Sequence, residues 1–113
     1  MNDDDTLWRY TDEAGHRPAL DLTGFAVHAL DGYVGKVDRH TAEVSAAYLV
    51  VDTGWLFGHQ VLLPAGTVIR IDPAERTVHL GRTKTEIRSA PPFLNALDPA
   101  YFQLLGGYYG PLA

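Results

Sequence analysis

The amino-acid sequence predicts an all-β fold, a small, partly open β-barrel of about six strands followed by a short C-terminal helix. Residues 46–51 and 61–63 are apolar at every position, and turn residues such as Gly54 and Pro64 follow them, which is typical of strands. Because both faces of these runs are apolar, we expect them to be covered on both sides at the centre of the fold. Turn signals recur roughly every 8–12 residues, which indicates a small barrel or sandwich.

Composition divides the chain into three regions. Residues 1–23 form an acidic N-terminal arm with six acidic and two basic residues, residues 24–93 contain the predicted barrel and are neutral overall, and residues 94–113 form an aromatic C-terminal helix and tail. The arm contains Trp8 and Tyr10. Because large aromatic side chains are costly to leave in water, we expect both to lie against the barrel.

The first two predicted strands form a hairpin. Phe25, Val27 and Ala29 recur at every second position, and the dipeptide Asp31-Gly32 is a typical hairpin turn. Gly35 interrupts the second strand, at a point where a bulge or a close approach of another segment favours glycine.

The final two strands follow the central pair. Over residues 67–71, alternation predicts that Ile69 shares a face with Ile71 and lies opposite to Val68. Residues 78–80 then form a short last strand.

Helical signals appear only late in the chain. Residues 83–87 can form one turn before Pro91 stops the helix. Asp98 and Pro99 suit the N-cap and the first position of a second helix, and the glycines at 106 and 107 are expected to end it.

Composition also excludes several classes of protein. The 113 residues include no cysteine, so disulfides, thiolate metal sites and cysteine nucleophiles are ruled out. The net charge of −5 disfavours direct binding to nucleic acid or to an anionic membrane surface. No apolar run approaches the roughly 20 residues of a membrane span. The acidic start lacks the features of a secretory signal, so we expect a cytoplasmic protein.

Residues 24–93 resemble the PRC-barrel family, named for the H subunit of the photosynthetic reaction centre. The matching pieces are Asp31-Gly32 with Gly35-Lys36-Val37, the run LVVDTG at 49–54, WLFG at 55–58, VLLP at 61–64, and IRSAP at 87–91. The end of the chain, with Tyr108-Tyr109-Gly110, is similar to the ends of small stand-alone bacterial members.

The resemblance implies a β-barrel that serves as an interaction or assembly module, with no shared catalytic residues and no cofactor. A similar domain forms the C-terminal part of a bacterial ribosome maturation factor, which leaves a ribosome-associated or RNA-processing factor as an alternative. Phosphate binding needs excess positive charge, however, and the predicted barrel is neutral.

Polar residues define a further alternative, a small hydrolase or a metal-binding protein. Asp52 could act as a general base beside His59. Its position just before Thr53 and Gly54 is more typical of a side chain that accepts backbone N–H bonds in a turn, so we assign Asp52 and Gly54 to a structural turn. The five histidines show no short ligand spacing, and zinc prefers about four ligands. We therefore predict no catalytic residue and no metal site.

Aromatic side chains are the leading candidates for a contact surface: Trp55, Phe57, Tyr101, Phe102, Tyr108 and Tyr109. The four at the C-terminus suit either a helix that covers the open side of the barrel or an interface, where aromatic residues are enriched. Packing across a two-fold axis would satisfy both. The sequence thus favours a non-enzymatic module that self-associates as a homodimer and binds another protein.

Overall fold

The computed structural model describes residues 7–17, 20–41, 47–54, 56–91 and 99–109 of the chain. Within these residues the elements are β1 (Ala26–Ala29), β2 (Gly32–Thr41), β3 (Tyr48–Asp52), β4 (Gln60–Pro64), β5 (Val68–Asp72), β6 (Thr77–Leu80), α1 (Lys84–Ser89) and α2 (Pro99–Tyr109). Short 3₁₀ turns lie at Asp12–Ala14 and Ala65–Thr67. The prediction of a mostly β fold with a short C-terminal helix is confirmed.

The strands form one sheet in the order β4-β3-β2-β1-β6-β5, in which only the β1–β6 pair is parallel among the described residues. The two edge strands, β4 and β5, follow each other in the chain and are joined by Ala65–Thr67 alone. In a flat sheet, five strand spacings would separate the edges by about 24 Å. Four residue steps reach only about 14 Å. The sheet is therefore curled into a partly open barrel, as the sequence predicts.

β3 and β4 are covered on both faces, but the prediction that they form the central pair is wrong, because β4 is an edge strand of the sheet. Val50 and Val51 are 0% exposed and Leu62 is 1% exposed, so the prediction that both faces of this pair are covered is confirmed. The register pairs Val50 with Leu62, and the pleat places both on the same face as Tyr48. On that face the ring of Phe102, from α2, lies with its centroid 5.7 Å from that of Tyr48.

Together with α2, the N-terminal arm covers this face of the sheet. The ring centroid of Trp8 lies 5.0 Å from that of Phe102, and the Trp8 carbonyl accepts a hydrogen bond of 3.1 Å from the Ala47 N–H. Trp8 is buried, and Tyr10 is half-buried against the core. The expectation that the two arm aromatics lie against the barrel is confirmed.

A capping box starts α1. The Thr83 Oγ1 accepts a hydrogen bond from the Glu86 N–H at 3.2 Å, and the Glu86 carboxylate accepts one from the Thr83 N–H at 3.1 Å. The Lys84 N–H donates to Asp31 Oδ1 at 2.8 Å, so the β1–β2 turn is tied to the start of this helix. The predicted helical turn at 83–87 is confirmed.

One predicted face assignment on β5 is wrong. A β-bulge lies between Val68 and Arg70, which makes Ile69 an additional residue relative to β6. Ile69 is 50% exposed, whereas Val68 and Ile71 are both buried. Because a bulge shifts the alternation of the residues that follow it, counting every second residue fails across this point.

The predicted end of the C-terminal helix is also wrong, since α2 continues through Gly106 and Gly107 to Tyr109. The Tyr109 side chain is 0% exposed, and its carbonyl accepts a hydrogen bond from Arg82 Nη2 at 3.3 Å. Each glycine costs the helix about 1 kcal/mol relative to alanine. Burying a large apolar side chain contributes about 1.5–3 kcal/mol, which is comparable to the cost of the two glycines, and the hydrogen bond from Arg82 adds to it.

Candidate interaction surface

Two histidines lie side by side on the outside of the barrel. The parallel register of β1 and β6 pairs Val27 with Val78 and His28 with His79. Both valines are 0% exposed, and because neighbouring residues on a strand face opposite sides, the histidines face outward. Their ring centroids are 6.0 Å apart.

Exposed apolar side chains from the β1–β2 hairpin adjoin this pair. The Tyr33 ring meets His28 edge-on at a centroid distance of 5.7 Å, and Tyr33 is 45% exposed. Leu30, two residues beyond His28, is 61% exposed, and its N–H donates to the Arg82 carbonyl at 2.9 Å. The hairpin tip therefore extends the surface toward the residues that follow β6.

Ile69 continues the surface on the other side. Its side chain lies over Gly81, with Cγ2 3.0 Å from the point where a Cβ would stand. Gly81 is two residues beyond His79, so Ile69 and His79 share the outer face. We call this surface the outer-face patch, and it consists of Leu30, Tyr33, Ile69, His28 and His79.

The patch concentrates the exposed apolar groups of the molecule. Among the described residues, the large apolar side chains with high exposure are Leu30, Tyr33, Ile69 and Leu104. Three of these four belong to the patch, and Leu104 lies on α2. A grouping of this kind on one face makes the patch a candidate contact surface.

A shallow depression of about 300 Å³ adjoins the patch at Tyr33. Its walls are formed by Tyr33, Lys36, Asp52, Thr53, Gly54 and Leu56. Lys36 and Asp52 are register partners on β2 and β3. The depression thus combines apolar walls with one cationic and one anionic side chain.

Asp52 holds the turn that follows β3. Its Oδ1 accepts a hydrogen bond of 2.8 Å from the Gly54 N–H, and Gly54 has a φ of 58°, a left-handed conformation that favours glycine. The Thr53 hydroxyl donates to the His59 carbonyl, which ties the turn to the start of β4. Within the described residues, no hydrogen bond joins the Asp52 carboxylate to the His59 imidazole. The geometry therefore supports the structural turn rather than an acid–base pair.

The aromatic residues of α2 divide between the core and its rim. Tyr101 and Tyr109 are 7% and 0% exposed, and burial raises the pKa of Tyr101 to about 12 and raises that of Tyr109 as well. The Tyr101 hydroxyl donates to the Pro91 carbonyl at 3.2 Å, and the Tyr108 hydroxyl donates to the Glu86 carbonyl. Tyr101 and Tyr109 thus pack inside their own chain.

The other aromatic candidates have different positions. Phe102, Tyr108 and Phe57 are partly buried against the core. Trp55 lies outside the described residues. Phe57 belongs to the β3–β4 loop, which also supplies Leu56 to the depression beside the outer-face patch.

Several basic residues of the barrel lie beside acidic or aromatic groups. The Arg82 guanidinium lies over the Tyr109 ring at 5.8 Å from its centroid, and its Nε is 3.9 Å from a Glu86 carboxylate oxygen. The Arg39 Nε lies 3.7 Å from Asp38. These contacts compensate positive charge that binding to a phosphate backbone would use.

A second pair of histidines lies where the arm meets the barrel. The His16 ring stacks on Tyr10 with centroids 3.7 Å apart, and burial together with the nearby His40 lowers the pKa of His16. The Nε2 of His40 is 3.2 Å from both the Leu22 backbone N and Asp21 Oδ1. This nitrogen either accepts from Leu22 or donates to Asp21, so the two hydrogen bonds exclude each other.

In the part of the chain that the structure describes, no group of three or more His, Cys, Asp or Glu side chains is placed to hold a metal ion. The pairing of His28 with His79 was not visible in the spacing of the histidines, because β1 and β6 are distant in sequence and pair in parallel. One signal was present. Both strands carry the same Val-His step, in AVHA and in TVHL.

Comparison with models of known protein families and with curated proteins finds no match for this chain. Across the described residues, none of the helices has the length and apolar character needed to cross a membrane. The surface of the barrel is therefore the main guide to function.

Proposed function

We propose that this chain is a non-enzymatic interaction or assembly module of the PRC-barrel type, located in the cytoplasm, that self-associates as a homodimer through the outer-face patch. The observation that carries the proposal is the exposure of Leu30, Tyr33 and Ile69 on one face of the barrel, at 61%, 45% and 50%. Contiguous apolar patches on globular proteins mark sites of association.

A second copy of the chain fits this patch. In a two-fold dimer the same residues of both copies meet, so the apolar side chains face their own counterparts. The patch contains no carboxylate. Its charged neighbour Arg70, the register partner of His79, is paired with Asp72 at 2.8 Å. The Arg70 side chains of the two copies therefore add little repulsion at a two-fold interface.

We assign the binding of a different protein partner to the depression beside Tyr33. Leu56 and Tyr33 provide apolar contact, and Lys36 and Asp52 provide charged groups on the neighbouring strands β2 and β3. A partner protein that presents an apolar side chain flanked by polar groups would complement this lining, because interfaces combine a desolvated centre with a polar rim.

Sedimentation equilibrium on chelator-treated protein tests self-association. We expect a monomer–dimer equilibrium, and we expect Leu30→Ser and Tyr33→Ser each to raise the dimer Kd about tenfold or more. Leu104→Ser is the matched control, because Leu104 and Leu30 are both 61% exposed and Leu104 lies on α2. The proposal is refuted if the unaltered chain remains monomeric up to about 1 mM, the weakest range of specific association.

A further inference from the structure

We infer that His28 and His79 form one half of a zinc site that a second copy of the chain completes with the same two residues. The inference rests on the proposed self-association through the outer-face patch, and it adds a metal ion at the centre of that interface.

The spacing of the two imidazoles suits a single ion. Zinc–nitrogen bonds of about 2.0–2.1 Å place an ion about 3.2 Å from the centroid of each ligand ring. Two such rings are about 5 Å apart at a tetrahedral angle and about 6.4 Å apart on opposite sides of the ion. The observed distance of 6.0 Å between the ring centroids of His28 and His79 is about 1 Å longer than the tetrahedral value, so the two side chains must rotate toward each other to share one ion.

Both rings are available for coordination. Within the described residues their contacts are ring contacts, with each other and between His28 and Tyr33, and neither imidazole takes part in a hydrogen bond. Val27 and Val78 anchor the two strands in the core immediately before the histidines. The backbone positions of the pair are thus fixed by a hydrogen-bonded ladder, which preorganises a site.

One copy supplies only half of a ligand set. No third His, Asp or Glu joins the pair among the described residues, whereas a structural zinc site takes four ligands. A two-fold axis through the outer-face patch brings both pairs together and gives four imidazole nitrogens. Imidazole is a good zinc ligand, so the site does not depend on cysteine, which the chain lacks.

The surroundings favour a bridging cation. Tyr33, Leu30 and Ile69 surround the pair with apolar surface, and closure of this surface between two copies excludes water from the metal. Each chain carries a net charge of −5, so two copies repel at long range and a divalent cation between them offsets part of that repulsion. Arg70, beside His79, is neutralised by Asp72.

Zinc chloride added to chelator-cleared protein tests the site, with sedimentation equilibrium and bound zinc as readouts. We expect one zinc per two chains and a dimer Kd that falls at least tenfold, and we expect EDTA to reverse the change. His28→Gln and His79→Gln should each abolish the zinc-dependent fall in dimer Kd, measured against the metal-free dimer Kd of the same variant. His59→Gln is the control, because His59 is a histidine of the β3–β4 loop outside the pair.

A second measurement protects against misfolded variants. In NMR spectra of the unaltered chain, zinc should shift the imidazole signals of His28 and His79 and leave those of His16 and His40 in place. Any of three results would overturn the zinc site but not metal-free self-association. Zinc could leave the molecular mass in solution unchanged, it could bind to monomers at one ion per chain, or its effect on the dimer Kd could survive in both glutamine variants. Protein that is monomeric with chelator and dimeric with zinc supports the site and overturns metal-free association.

Discussion

At Gly35, β2 and β3 approach so closely that no side chain fits between them. A Cβ at this position would overlap the Asp52 carbonyl oxygen and stand 3.0 Å from the Thr53 Cα. These are backbone atoms, so they cannot rotate away as a flexible side chain would. The bulge in the β1–β2 pairing leaves Val34 as an additional residue immediately before Gly35. The expectation of a bulge or a close approach at this glycine is confirmed in both respects.

Gly35→Ala should therefore destabilise the fold. A methyl group here forces β3 outward and disturbs the turn at Asp52, so we expect a loss of about 2–3 kcal/mol in the free energy of unfolding, as for overpacked cores. Urea denaturation followed by circular dichroism measures the change. A variant within about 0.5 kcal/mol of the unaltered chain would show that the two strands separate at little cost.

His16 should make stability depend on pH. Burial and the nearby His40 lower its folded-state pKa, so the unfolded chain binds this proton more readily than the folded chain. The contribution of His16 to the free energy of unfolding is thus fully present above the ordinary histidine pKa of about 6.5, and it is lost as the pH falls below that value. The other groups of the cluster are Tyr10, His40 and Asp21. Hydrogen bonds from Thr23 and then His40 lower the pKa of Asp21 to about 2, so Asp21 keeps its charge over this range.

Removing the titrating group tests this assignment. His16→Gln should reduce the fall in urea midpoint between about pH 7 and pH 5, where ordinary histidines take up a proton. His59→Gln, outside both the outer-face patch and the cluster around His16, serves as the control for replacing a histidine. Equal pH slopes for His16→Gln and the unaltered chain would contradict the role of His16.

The type of each element was readable from the sequence, but its register was not. The apolar runs at 46–51 and 61–63 indicated strands that are covered on both faces, but the sequence did not show that β4 lies at the edge of the sheet. The bulge at Ile69 depends on how β5 meets β6, a contact between segments that local alternation does not encode. The pairing of His28 with His79 depends in the same way on a parallel contact between distant strands. A candidate site built from such contacts becomes visible only in the folded chain.

The two glycines near the end of α2 show the same limit for helices. Local propensity predicts that the helix stops at 106 and 107, yet Tyr109 is buried and holds the last turn in place. Gly107 is exposed, and among the described residues outside its own helix a Cβ there would have no heavy atom within 4 Å. None of these described neighbours therefore requires a glycine.

Gly107→Ala should stabilise the protein. Alanine reduces the backbone entropy of the unfolded chain and favours the helix, so we expect a gain of about 0.5–1 kcal/mol. The melting temperature should rise by a few degrees. The substitution is chemically the same as Gly35→Ala, with the opposite sign. A lower melting temperature would mean that the backbone at Gly107 is not helical in solution.

For the whole molecule, turn spacing and apolar content were sufficient to predict a curled sheet, whereas the elements that cover it were not predictable in detail. The C-terminal aromatics suited both a cover and an interface, because composition alone does not distinguish burial within a chain from burial between chains. In the structure, Tyr101 and Tyr109 are buried within the chain, and exposed apolar groups lie on β-strand residues such as Tyr33 and Ile69. The barrel, the arm and α2 thus share one hydrophobic core.

A shared core predicts that α2 and the barrel unfold together. Tyr109→Ala should cost about 3–5 kcal/mol, the usual loss for a buried aromatic residue. Tyr109→Phe should be neutral or slightly stabilising, because the buried Tyr109 hydroxyl has no hydrogen-bond partner among the described residues. Near-ultraviolet circular dichroism of the tyrosines and far-ultraviolet circular dichroism of the backbone should give coincident urea transitions in all three proteins. Separate transitions, or a small loss with Tyr109→Ala, would mean that α2 detaches before the barrel opens and is not part of its core.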